Sequence, residues 1–162
     1  MLTEYSSPAG PLLLGASRGR LLLCDWTASR RHATHLRRLG EALSGESAAD
    51  ALLCREATVQ LEQYFAGQRT RFDLPLAFHG TPFQLQVWNL LTEVPYGSTI
   101  TYGDLSRRLG NPLAVRAVAN AVGSNPLSIL VPCHRIVGAD GSLTGYAGGL
   151  DAKRMLLRIE GR

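Results

Sequence analysis

The chain reads as a mixed α/β (α+β) protein. A small N-terminal β-sheet with helices is followed by a mainly helical C-terminal part that carries a helix-turn-helix and a cysteine loop. Three observations predict this. Apolar runs cut by turn residues occupy residues 2–26. A helical period near 3.6 marks 49–66 and 82–93. Two short helical patterns follow within 101–123, separated at Gly110.

Taken in order, Leu12–Leu14 and Leu21–Cys24 are strand-like, and Ala16-Ser17-Arg18-Gly19 between them has hairpin turn chemistry. Residues 29–43 carry Arg, His and Leu at helical spacing, and a Ser/Gly loop follows at 44–47. The helix at 49–66 places Leu52, Leu53, Val59 and Tyr64 among polar residues and stops at Gly67. Phe72, Leu74, Leu76 and Phe78 alternate like a short strand. The boundary falls near 76–82 and divides the chain into domains 1–78 and 79–162. Thr81 is placed to cap the next helix with Pro82 at its first position, and Phe83, Val87, Trp88 and Leu91 form its apolar face. Val94-Pro95-Tyr96-Gly97-Ser98 is a turn. A helix at 101–109, capped by Thr101, ends at Gly110, and a second covers 112–123 with Pro112 in its first turn. Loop-rich sequence at 125–150 leads to a last helix at 151–160, with Asp151 as N-cap.

With 162 residues and 45% hydrophobic content, the chain is an ordinary globular protein. No apolar run approaches the roughly 20 residues needed to span a bilayer. The N-terminus lacks a basic region followed by an apolar one, so a cytoplasmic location is expected. Three cysteines at wide spacing, Cys24, Cys54 and Cys133, are a poor disulfide framework. His32, His35, Cys24 and Cys54 match no zinc-module spacing, and no metal site is expected. The net charge is +4. Residues 80–162 hold eight Lys/Arg against five Asp/Glu, so most of the excess lies there, which favours a polyanionic partner.

Val131-Pro132-Cys133-His134-Arg135-Ile136 is the most informative run. Cysteine is nucleophilic near neutral pH, and a neighbouring histidine is the usual means of activating it. In a strand the two side chains would face opposite ways. Cooperation therefore requires a turn, which Pro132 favours. Glu160 at the end of the last helix is a candidate orienter for His134.

At these residues the chain closely resembles the O6-alkylguanine-DNA alkyltransferase (methylated-DNA–protein-cysteine methyltransferase) family. The matching motifs are Val94-Pro95-Tyr96-Gly97, Thr101-Tyr102, Gly110-Asn111-Pro112, Arg116-Ala117-Val118, Asn125-Pro126, Pro132-Cys133-His134-Arg135, Gly145-Tyr146-Ala147-Gly148-Gly149, Lys153 and Leu156-Leu157-Arg158-Ile159-Glu160. They cover essentially all of 82–161, and the N-terminal half matches more weakly through Ser7-Pro8-Ala9-Gly10-Pro11-Leu12.

The resemblance implies direct-reversal DNA repair: a stoichiometric, irreversible transfer of the alkyl group of O6-alkylguanine to a cysteine after base flipping. Residues 1–78 would be the N-terminal α/β domain and 79–162 the DNA-binding and alkyltransferase domain. Cys133 would accept the alkyl group, with His134 as its base through water and Glu160 as orienter. Tyr102 would stand near the rotating phosphate and protonate the leaving base, and Asn125 would be the hinge between helix and active-site loop. Arg116 would enter the base stack, with Tyr102 and Ala117 also at the DNA. Tyr146, Ala147 and Gly148 would line the alkyl pocket, where Ala147 departs from members that carry Ser. No cofactor is implied. The partner would be double-stranded DNA containing O6-alkylguanine, approached from the minor groove by a monomer, with cooperativity and activity on O4-alkylthymine left open. The relay implies a thiol pKa below the ~8.5 of a free cysteine. Arg135 is compatible with either a structural or a phosphate-binding role. An alkyltransferase-like protein that binds without repair would lack Cys133. A thiol hydrolase would turn over repeatedly.

Overall fold

The structure is a computed structural model and describes residues 1–161. An antiparallel meander of β1 (Leu2–Ser7), β2 (Gly10–Ser17) and β3 (Arg20–Trp26) opens the chain. Arg18 and Gly19 both have positive φ (52° and 75°), as a two-residue hairpin turn matched to strand twist requires. β3 is buried from Leu21 to Trp26, which explains the apolar run Leu21–Cys24; the buried Asp25 that follows is paired with His32 and His35. One edge pairs with β2. The other is covered in two places: Leu21 exchanges hydrogen bonds with Pro75 and Ala77, and Cys24 with Pro126 and Ser128. The strand expected over Phe72–Phe78 is therefore only a single bridge at Leu76, because β3 offers that segment little more than one residue of edge.

Helices α1 (His32–Leu43) and α2 (Ala48–Phe65) pack on this sheet. Leu39 and Leu43 of α1 join Leu22 and Leu23 in a small cluster. Cys54, Ala57, Leu61 and Tyr64 of α2 enter the main core. Ser47 caps α2 through the Asp50 amide. α1 begins three residues later than its sequence pattern, because Ser29 closes a turn with the His32 and Arg31 amides.

The second half holds α3 (Pro82–Leu91), α4 (Tyr102–Arg108), α5 (Val115–Gly123) and α6 (Leu150–Ile159). A two-stranded parallel ladder of β4 (Ile100–Thr101) and β5 (Ile136–Val137) lies among them. Reciprocal capping boxes start α3 (Thr81, Gln84) and α4 (Thr101, Asp104). Two boundaries differ from the sequence reading. α5 starts at Val115, not at 112: the Ala114 amide bonds to Asn111 O at 3.1 Å, and Pro112 lies in that turn. α6 is entered through Gly149 at φ 87°, a conformation open to glycine, and Asp151 lies inside its first turn.

One main core runs through both halves, from Leu12, Cys24 and Trp26 to Trp88, Val118, Val131 and Leu156. Trp88 Nε1 donates to Ala121 O at 2.9 Å and pins α3 to α5. Trp88→Phe removes this bond, but Ser124 Oγ still donates to the same carbonyl at 2.8 Å, so the loss should be about 0.5–1.5 kcal/mol in denaturant unfolding, beyond any loss of packing.

Candidate active site

The backbone turns twice on the way to Cys133. Leu130 N bonds back to Ser128 O at 2.8 Å with Ile129 between them at φ 70°. This is the left-handed γ-turn, rare and strained, and for a β-branched residue it costs on the order of 1–3 kcal/mol. Cys133 N then bonds to Val131 O at 2.8 Å around Pro132 (φ −81°, ψ 60°), an inverse γ-turn. A 3₁₀ turn, Cys133–Arg135, follows. Proline thus does what its position suggested, placing Cys133 and His134 on a turn.

Asn125 holds this loop from inside. Its side chain accepts from Leu127 N (3.0 Å) and donates to Val131 O (3.1 Å) and Leu127 O (3.3 Å). It also hydrogen-bonds the Cys133 thiol. Lys153, buried on α6, donates to Ile136 O (2.6 Å), Thr144 O (3.1 Å) and Gly145 O (3.4 Å), clamping the Gly-rich loop to β5.

Behind the cysteine lies a buried carboxylate. Glu160 accepts from His134 Nε2 (2.7 Å), Arg135 Nε (2.8 Å), Arg135 Nη2 (3.2 Å), Tyr64 Oη (2.6 Å) and the Gly97 amide (3.2 Å). Burial alone would raise its pKa. The bonds from His134 and Arg135 outweigh burial and hold it down at about 2. An ionised carboxylate only accepts, so His134 Nε2 carries the proton and Nδ1 is left as the basic atom. Nδ1 has no protein partner among the described residues. Burial lowers the His134 pKa despite the adjacent carboxylate, which keeps the ring neutral.

The thiol departs from expectation. Burial pushes the Cys133 pKa up, against the opposing hydrogen bond from Asn125 and the charge of Lys153. The free protein therefore stores a neutral thiol, and a lowered resting pKa is not what this geometry provides.

Cys133 lines a cavity of about 940 Å³ and is itself buried. Tyr102, Asn125, Tyr146, Ala147 and Gly148 share its wall with Arg116 and Val115 of α5 and with Ala28–Arg31. Tyr102 Oη bonds Thr144 O at 3.5 Å, and Tyr146 Oη accepts from Trp26 Nε1 at 3.2 Å.

Both halves of the chain match one sequence family. Residues 82–162 match the 6-O-methylguanine DNA methyltransferase DNA binding domain, and residues 2–78 match its ribonuclease-like domain. The chain belongs to the 6-O-methylguanine DNA methyltransferase family. The methylated-DNA–protein-cysteine methyltransferase of Methanosarcina acetivorans is 44% identical over 157 residues, 97% of this chain and 96% of the relative. Its Mycobacterium tuberculosis counterpart is 43% identical over 159 residues, 95% of this chain and 88% of the relative. Among solved structures, Mycobacterium tuberculosis OGT in complex with DNA superposes with a TM-score of 0.80 at 37% identity, covering 97% of this chain and 90% of that one.

Within this family frame, the predicted site residues fall into two layers. Cys133, Asn125, Tyr102, Tyr146, Ala147, Gly148 and Arg116 line the cavity. His134 and Glu160 are buried behind it. Ala117 is exposed on α5 beside Arg116 and is not part of the cavity wall. Arg135 is settled as structural: it is buried, paired with Glu160 and bonded to Val94 O at 2.6 Å. Gly148 has a reason of its own, since a Cβ there would stand 2.6 Å from the Trp26 ring.

Sequence reasoning missed Tyr64, Trp26 and Arg31. Arg31 Nη2 bonds Asn120 Oδ1 at 2.8 Å and so ties the first half to α5. Tyr64 had a faint signal, a polar-tipped aromatic on the inner side of α2. His32 and His35 do not meet Cys54. Their Nδ1 atoms both contact Asp25 Oδ2, at 2.7 and 3.1 Å.

Glu160 has a folded pKa of about 2 against an ordinary 4.5, so it contributes stability above pH 4.5 that is lost as pH falls toward 2. Glu160→Gln removes that acid-dependent part and strands the Arg135 charge. At pH 7 it should cost about 3–5 kcal/mol, with a shallower loss of stability between pH 5 and pH 2 than wild type. Denaturant unfolding across that pH range measures both.

Proposed function

We propose that this protein repairs alkylated DNA by direct reversal, moving the alkyl group of O6-alkylguanine irreversibly onto Cys133. The observation that carries the reading is a buried thiol on the cavity wall, followed in the same 3₁₀ turn by a neutral histidine whose Nε2–H is committed to Glu160. Sγ attacks the alkyl carbon in line with the O6–C bond. The S–C bond forms, the O6–C bond breaks and its electron pair stays on the guanine. The thiol proton passes through water to His134 Nδ1, and Tyr102 gives a proton to the departing base. Transfer of the proton from His134 back to the tyrosinate closes the count. A thioether is not readily hydrolysed, so each molecule acts once.

The raised thiol pKa fits this step. A neutral resting thiol resists adventitious oxidation and alkylation, and proton removal is confined to the moment when a base fills the cavity. Positioned general-base assistance is worth about 10²–10⁴-fold. A guanine stacked in a duplex cannot reach Cys133, so the nucleotide must rotate out, at a cost of a few kcal/mol. Arg116, on the cavity rim and exposed, suits the role of filling the space it leaves. The DNA is double-stranded and met from the minor groove by a monomer. Contacts are to the backbone and insensitive to sequence, because repair must scan all DNA. Among the described residues no helix is long and apolar enough to cross a membrane. All three cysteines are free, which suits the reducing cytoplasm.

Incubation with a duplex carrying O6-methylguanine should add one methyl per chain by intact mass, mapped to the Cys133 peptide. Cys133→Ser should abolish it, and methylation persisting in that variant would overturn the assignment. With free O6-benzylguanine, which needs no flipping, the rate should hold as pH falls through 6.5, because burial lowers the His134 pKa and keeps Nδ1 unprotonated there. It should drop only at lower pH. His134→Gln should slow the reaction by about 10²-fold or more.

A further inference from the structure

Leu113 is 95% exposed, far more than the next exposed large apolar side chain, Leu52 at 60%. It stands in the turn between α4 and α5, and its presentation is fixed. Gly110 takes φ 77°, Asn111 N bonds Ser106 O at 3.0 Å, Pro112 restricts its own φ, and Ala114 N bonds Asn111 O. Val115, 40% exposed, follows two residues on and lies with Arg116 on the cavity rim.

The surroundings point to one kind of partner. No Asp or Glu occurs between Asp104, which pairs with Arg107, and Asp140, whereas exposed Arg108 and Arg116 flank the turn. A rigid apolar tip flanked by arginines that are unpaired among the described residues suits a polyanion with an apolar interior, which is the base stack of duplex DNA. Minor-groove proteins insert leucine and similar wedges between base steps. A leucine solvated in the free protein gains its transfer free energy only when bound.

We propose that Leu113 is a second inserting side chain, a wedge that lodges at the base step beside the nucleotide displaced by Arg116, with Val115 covering the adjacent sugar. This rests on the reading of α5 as the DNA-facing helix. The wedge spreads the step from which the damaged base leaves, so part of the flipping cost is met before Arg116 enters.

The test compares wild type with Leu113→Ser, Leu113→Met and Arg116→Ala. Each is assayed for duplex affinity, for repair of duplex O6-methylguanine and for reaction with free O6-benzylguanine. Leu113→Ser should lower duplex affinity and repair rate by about tenfold or more. Its free-base rate and melting temperature should not change, and its salt slope should match wild type because no charge is lost. Leu113→Met should retain most of the activity. Full duplex repair by Leu113→Ser beside an impaired Arg116→Ala would overturn the wedge and leave the Arg116 reading standing. Unchanged duplex repair in both would overturn the assignment of α5. Equal slowing of Leu113→Ser on duplex and free base would also overturn the wedge.

Discussion

The Glu160 carboxylate is the interaction on which the rest of the site depends. It sits at the C-terminal end of α6, where the helix dipole disfavours negative charge, and it is buried. Five donors make its ionised form tenable there: His134, Arg135 through two nitrogens, Tyr64 and the Gly97 amide. Each comes from a different stretch of chain apart from the adjacent His134 and Arg135. The charge thus fixes the 3₁₀ turn after Cys133, the 94–97 turn, α2 and the end of α6 relative to one another. Its chemical consequence is the histidine tautomer. An ionised acceptor at Nε2 leaves Nδ1 basic, and burial keeps the ring neutral.

The same economy holds the loop in front. Ile129 occupies a backbone conformation that β-branched residues avoid, and it persists because the surroundings over-determine it. Asn125 fixes the segment from within, Cys24 pairs with it across β3, and Lys153 anchors the strand and loop that follow. Strain held this way defines the position of the thiol without a long rigid element. The cost of burying Lys153 and Arg135 is offset by their hydrogen bonds to backbone carbonyls and, for Arg135, to Glu160.

The first half of the chain is therefore more than a platform. Tyr64 reaches Glu160, Trp26 bonds Tyr146, the β3 edge pairs with the Asn125 segment, and Arg31 holds α5 through Asn120. The wall of the cavity includes Ala28–Arg31. An alkyltransferase built this way couples the geometry of its thiol to the integrity of both halves. A destabilising change in the first sheet should be felt as lost reactivity.

The amino-acid sequence by itself determined the local elements. The 3.6 period, the Thr81 and Thr101 caps and the turn residues at 18–19 and 94–98 act over a few residues. So the hairpin, the helices and the turn at Pro132-Cys133 were legible, and the ordered motifs were enough to identify the family. It also pointed to Cys133, His134 and Glu160, whose proposed roles as nucleophile, base and orienter are what the family resemblance implies. Only the tertiary structure decided what those groups are worth. Whether Arg135 meets a phosphate or Glu160, whether the thiol rests charged or neutral, and whether Phe72–Phe78 forms a strand depend on burial and on partners distant in the chain. Desolvation and long-range pairing have no local sequence signature. That is why Tyr64, Trp26 and Arg31, each bonded across more than eighty residues, came into view only once the chain was folded.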